Sequence, residues 1–165
     1  MSRSGPPAVP LPVLVLLAVF FLAPLMACSS TSAEGADVDA VRAYVDALEP
    51  ALSAEMLDPL RAAATEGQVE RVRLYVTMQL GDGRRMSPAL LELSITHVER
   101  SEDRSLVETR ERWRVESFDA ESGESMGLEQ YDVVVGYTVT LADGKWRVSE
   151  VEELERETRE LDAGE

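Results

Sequence analysis

The chain has 165 residues, 45% hydrophobic and 28% charged, enough for one domain with a real core. Against 31 acidic residues stand 16 basic ones, 15 of them Arg and the other Lys145, for a net charge of −15. A surface this acidic, with no basic patch interleaved with aromatics, excludes nucleic acid as a partner and disfavours anionic lipid headgroups as a binding target.

The N-terminal segment is apolar from Leu11 to Ala27 (LPVLVLLAVFFLAPLMA), and Arg3 is the only charge before Glu34. A positive start followed by an apolar run is the pattern of an export signal. The uninterrupted part, Val13 to Ala23, falls short of the roughly 20 residues a spanning helix needs, and Pro24 interrupts it, so residues 1–27 are expected to be a cleaved signal peptide. Leu25-Met26-Ala27-Cys28 resembles the lipobox of bacterial lipoproteins, although Met26 stands where a smaller residue is usual. In that family the signal is cut before the cysteine, whose thiol and new amino terminus are acylated. The resemblance implies a palmitate-type lipid anchor on Cys28 and a place in the bacterial cell envelope, on the outer or inner membrane and facing the periplasm. A free thiol is the other reading of Cys28; an internal disulfide is impossible with one cysteine. Residues 28–36 are small and polar and read as the lipidated cysteine with a flexible tether.

Helical periodicity begins at Asp37, an expected N-cap, with Val38, Val41, Tyr44, Val45 and Leu48 on one face, and is expected to stop near Pro50. A short segment holding Leu52, Met56 and Leu57 precedes Asp58-Pro59, where a cap residue and a Pro at the first helical position predict a restart through Leu60 to Ala64. Thr65-Glu66-Gly67-Gln68 has the spacing of a capping box, and Val69, Val72, Val76 and Leu80 predict a third helix stopped by Gly81-Asp82-Gly83.

The period then changes to two. In LLELSITHVE, Leu91, Leu93, Ile95 and His97 are expected on one face of a half-buried strand. In LVETRERWRVESF, Val107, Thr109, Glu111, Trp113 and Val115 alternate with a charged face. After the loop DAESGESMG, Tyr131, Val133, Val135, Tyr137, Val139 and Leu141 share a face, and Ala142-Asp143-Gly144 predicts a hairpin leading to Trp146 and Val148. From Val151, helical spacing of Val151, Leu154, Thr158 and Leu161, with Glu152–Arg156 and Glu155–Arg159 four apart, reads as an acidic C-terminal tail over residues 153–165 with a short helix.

Three helices followed by four strands indicate an α+β domain over residues 37–152, its N-terminal helices packed on a curved four-stranded antiparallel sheet. The element order, with Tyr131-x5-Tyr137 and the ending Asp143-Gly144-Lys145-Trp146-Arg147-Val148, resembles the nuclear-transport-factor-2-like (cystatin-like cone) superfamily with its SnoaL-like members. The helix pair, Val107-x-Thr109-x-Glu111 and the Tyr/Trp hairpin are most similar to the intermembrane-space domain of plastid-division proteins and its bacterial relatives. That superfamily hosts isomerases, dehydratases and binding pockets alike, so the resemblance implies a fold and no activity.

Chemistry rests on few residues. Glu111 falls on the buried face, where a carboxylate either finds a partner or serves as a base, and His97, the only histidine, is the other candidate proton carrier. Trp113, Tyr131 and Tyr137 are either plain core or the walls of a ligand pocket with polar tips. One histidine and one cysteine leave zinc without its usual ligands, the acidic loops lack calcium-loop spacing, and no phosphate cradle or nucleophile elbow appears, so neither metal nor cofactor is expected. The leading expectation is a non-catalytic lipoprotein binding a protein or a small apolar ligand. A SnoaL-like enzyme using Glu111 with His97 or a Tyr is one alternative, and a structural envelope component engaging a basic partner through the acidic tail is another.

Overall fold

The computed structural model describes residues 35–160. The signal segment, Cys28 and the tether up to residue 34, and the last five residues of the tail, lie outside the described residues. Three helices, α1 (Ala36–Ala54), α2 (Asp58–Ala63) and α3 (Glu66–Gly81), precede four strands, β1 (Arg84–Arg100), β2 (Arg104–Asp119), β3 (Ser125–Ala142) and β4 (Lys145–Glu160). The strands form an open antiparallel meander in the order β1-β2-β3-β4. The helices lie on one of its faces, and Val41 and Val45 from α1, Val69 from α3 and Val107, Val139 and Val148 from the strands are all but fully buried in a common core. The expected α+β arrangement is therefore the one present.

Several local expectations change. Asp37 is not the cap of α1: Gly35 holds that position, and Asp37 lies in the first turn, buried, reaching across to β1. Its Oδ2 accepts from Arg100 Nε at 2.7 Å and from the Ser105 hydroxyl at 2.6 Å, which fastens the start of α1 to the β1–β2 hairpin. A Cβ at Gly35 would crowd that carboxylate, which would have to shift within its clamp. α1 also runs through Pro50 to Ala54, because Ala51 beyond it is fully buried and tertiary packing outweighs the lost hydrogen bond. The helix closes with Glu55 in the left-handed region (φ 58°) and the Met56 amide donating to Pro50 O at 3.1 Å. The capping box does not form: Thr65 makes no side-chain cap, and Gln68 turns inward instead.

Bulges decide which side chains face the helices. β1 loses register with β2 between Leu90 and Glu92 and again between Ile95 and His97. Each extra residue reverses the alternation, so Leu90, Ile95 and Val98 pack on the core while Leu91, at 46% exposure, and His97 are turned out. Strict alternation over LLELSITHVE was therefore the wrong reading of that strand. The tail expectation is corrected as well. Residues 153–160 are not helical but continue β4, paired with β3 as far as Glu129 opposite Glu160. The turn between these strands is the predicted one, Asp143 and Gly144 both having positive φ (52° and 72°), as a tight two-residue hairpin requires. Among the described residues no helix is long and apolar enough to cross a membrane.

Candidate functional site

A cavity of about 550 Å³ lies between α3, the second half of α1 and the inner face of the sheet. The sheet supplies its floor through alternation on β2 and β3: Glu111, Trp113, Tyr131, Val133 and Tyr137 all line it. Leu48, Val72 and Tyr75 from the helices close the other side, with Arg71, Arg84, Glu129, Glu153 and Arg156 as the charged lining. A volume of this size suits a small ligand.

Glu111 is 2% exposed and held at both oxygens. Its Oε1 accepts from the Thr109 hydroxyl and the Tyr137 hydroxyl, each at 2.7 Å, and its Oε2 accepts from the Trp113 indole N–H at 2.7 Å. Thr109 and Trp113 flank it at i−2 and i+2 on the same strand face, and Tyr137 comes from β3 beside it. The period-two pattern of β2 alone therefore builds most of this cluster. No Arg or Lys reaches Glu111 within ion-pair distance among the described residues.

Behind it a second group of polar tips continues the network. The Tyr44 and Tyr137 rings meet edge to face, centroids 5.9 Å apart, and the Tyr44 hydroxyl accepts from Gln68 Nε2 at 2.8 Å. Arg71 donates to the same amide's oxygen at 3.3 Å. Burial pushes the Tyr44 hydroxyl up to about 12, and burial followed by the neighbouring Glu111 charge pushes Tyr137 well above the usual tyrosine range. Both hydroxyls therefore keep their protons at neutral pH and act as fixed hydrogen-bonding groups. Tyr131, half-buried at the open side, carries the Arg156 guanidinium over its ring at 4.4 Å, and Arg156 also donates to Glu153 at 2.7 Å.

The structure brings Glu111, Trp113, Tyr131 and Tyr137 together and leaves His97 out. His97 stands opposite Glu108 on the outer face of the sheet, whereas Glu111 points to the inner one. A Glu111–His97 pair for proton transfer does not exist. Sequence reading missed Gln68, spent on the capping box, and Glu153 and Arg156, spent on a helical tail. A β-strand reading of residues 145–158 would have placed Arg156 near Tyr131 once the hairpin was registered. Among the described residues no cluster of three His, Cys, Asp or Glu side chains is arranged to hold a metal ion.

No protein-family model matches the chain, and no curated protein does either. Among solved structures, the intermembrane-space region of the chloroplast protein ARC6 is similar at TM-score 0.56 and 19% identity, over 70% of this chain and 92% of that one. A protein from Kribbella flavida aligns at TM-score 0.47 and 12% identity, over 73% of this chain and 93% of that one. A Nostoc punctiforme protein of unknown function, described as having a cystatin-like fold, aligns at TM-score 0.41 and 14% identity over 68% and 86%. At that identity the likeness to the ARC6 region is one of fold alone.

Proposed function

We propose that this chain is an exported lipoprotein, tethered to the envelope membrane through Cys28, whose domain binds a small, largely apolar ligand without transforming it. The observation that carries the binding reading is the cavity itself, with Trp113, Tyr131 and Tyr137 among its walls. A space of this size left open beneath a sheet, walled in part by Val72, Trp113, Val133 and Tyr137, forgoes packing contacts that a ligand could supply. Against a proton-transfer enzyme stands the state of Glu111, which is clamped by three donors at 2.7 Å, and His97 lies on the wrong face to assist it. A general base needs a free lone pair aimed at substrate and a relay for the proton it takes, and only the first is arguable here.

The test is saturable binding of a neutral apolar dye, N-phenyl-1-naphthylamine, followed by fluorescence. Val72 lines the cavity from α3 and is 8% exposed. Val72→Phe puts a ring into the space and is expected to weaken dye binding at least tenfold while the thermal midpoint stays within a few degrees. Dye uptake that never saturates, or that ignores the added ring, would sink the reading.

A further inference from the structure

The geometry points to a hydrophobic amine, an organic cation with an apolar body, as the ligand class of the cavity, its ammonium donating to the Glu111 carboxylate. This rests on the binding reading above and adds the polar end of the ligand to it.

Four observations converge. First, Glu111 is a buried acid that lines the cavity, and among the described residues its partners are a hydroxyl, a phenol and an indole, all neutral, with no basic side chain at ion-pair distance. Buried charges are ordinarily matched by an opposite charge, so this one lacks its complement. Second, the donors are distributed unevenly. Oε1 takes two and Oε2 takes one, while a carboxylate offers about four lone-pair sites, so acceptor capacity remains on Oε2. Third, Tyr75, Trp113 and Tyr137 line the same space, and aromatic faces attract cations. The chain already uses this wall in that way, since Arg156 sits over Tyr131 at 4.4 Å. Fourth, the net charge of −15 raises the local concentration of cations and repels anions.

Two arginines of the lining, Arg71 and Arg84, oppose a cation. Both are exposed, so solvent and salt screen them, whereas Glu111 is buried and screened less. Arg156 is matched by Glu153 at 2.7 Å. The balance inside the cavity is therefore set by Glu111. A neutral alcohol would satisfy the free lone pair without meeting the charge, and a carboxylate would meet neither.

The experiment compares three probes of equal chain length, n-octylamine, n-octanol and octanoate, by calorimetric titration of the chain from residue 28 to residue 165 carrying Cys28→Ala, which keeps both the apolar leader and acyl chains out of the measurement. Octylamine is expected to bind at least tenfold more tightly than octanol, with octanoate weakest. Glu111→Gln should bring the amine down to the level of the alcohol and leave octanol within about twofold. Octanol equalling the amine, or octanoate outranking it, overturns the ligand class while the cavity reading survives. Binding by none of the three removes the cavity reading too. If Glu111→Gln fails to fold, the ranking of the three probes on the unsubstituted cavity decides alone.

Discussion

Asp37 and Glu111 are 3% and 2% exposed, and the fold satisfies them by different chemistry. Glu111 receives only neutral donors and faces a cavity; Asp37 receives a guanidinium, a hydroxyl and the Val38 amide, and is not part of that cavity's lining. The difference predicts different roles, ligand reading for one and fastening for the other. Burial raises the Asp37 carboxyl, but the hydrogen bonds from Arg100, Ser105 and Val38 outweigh it and hold the group below its ordinary value of 3.8. With the folded value lower than the unfolded one, the unfolded chain binds more protons between the two. The contribution is thus fully present above about pH 4 and is lost as pH falls through the folded value. Arg100 is half exposed, so solvent weakens the pairing and the contribution stays modest. Asp37→Asn is expected to lower stability at pH 7 and to flatten the loss of stability below pH 4, read from urea midpoints across a pH series. An unchanged acid slope would mean that the clamp between α1 and the β1–β2 hairpin is energetically idle.

At the scale of elements, what could be read from sequence followed the strength of the periodic signal. β2 alternates cleanly and β3 repeats Tyr131, Val133, Val135 and Tyr137 at period two, so Thr109, Glu111, Trp113, Tyr131 and Tyr137 are legible as inner-face residues, and four of these five line the cavity. β1 alternates too, but its two bulges leave no mark in the residue types, so Leu91 and His97 were assigned to the wrong side. β4 failed for another reason. Its run of Glu and Arg has better helix than strand propensity, and four-apart charge pairs appear in any such run; pairing with β3 overrides both. The consequence is testable. A chain ending at Glu152 would lose nothing important if residues 153–165 were a detached tail. As a strand, residues 153–160 cover β3 from Glu129 to Val135, and Arg156 covers the Tyr131 ring. Truncation after Glu152 is therefore expected to lower the thermal midpoint by several degrees and to expose Tyr131, measured by calorimetry and tyrosine solvent perturbation. Retention of the full midpoint would contradict the pairing.

For the whole molecule, the acidic surface and the anchor expected at Cys28 have to be considered together. Removal of residues 1–27 takes away Arg3 and no acid, leaving the rest one charge more negative than −15. A body of that charge is repelled by an anionic leaflet, so the attachment proposed above would rest on acyl chains at Cys28 and not on electrostatics. Acyl chains supply this at about 0.8 kcal/mol per buried CH₂, and two or more chains give stable rather than marginal attachment. Attachment is accordingly expected to resist high salt, since screening weakens repulsion as well as attraction and leaves the acyl term untouched. The chain expressed with its leader should fractionate with membranes, extract only with detergent and have the mass of residues 28–165 plus acyl groups. Cys28→Ala placed behind a leader that is cut independently of Cys28 should appear in the soluble periplasmic fraction with the thermal midpoint of the domain unchanged, because the core begins at Val38, ten residues beyond the substituted position. An unsubstituted chain that is membrane-bound, carries no acyl group and keeps residues 1–27 would instead make the leader itself the anchor, and a freely soluble unsubstituted chain would remove the tether altogether.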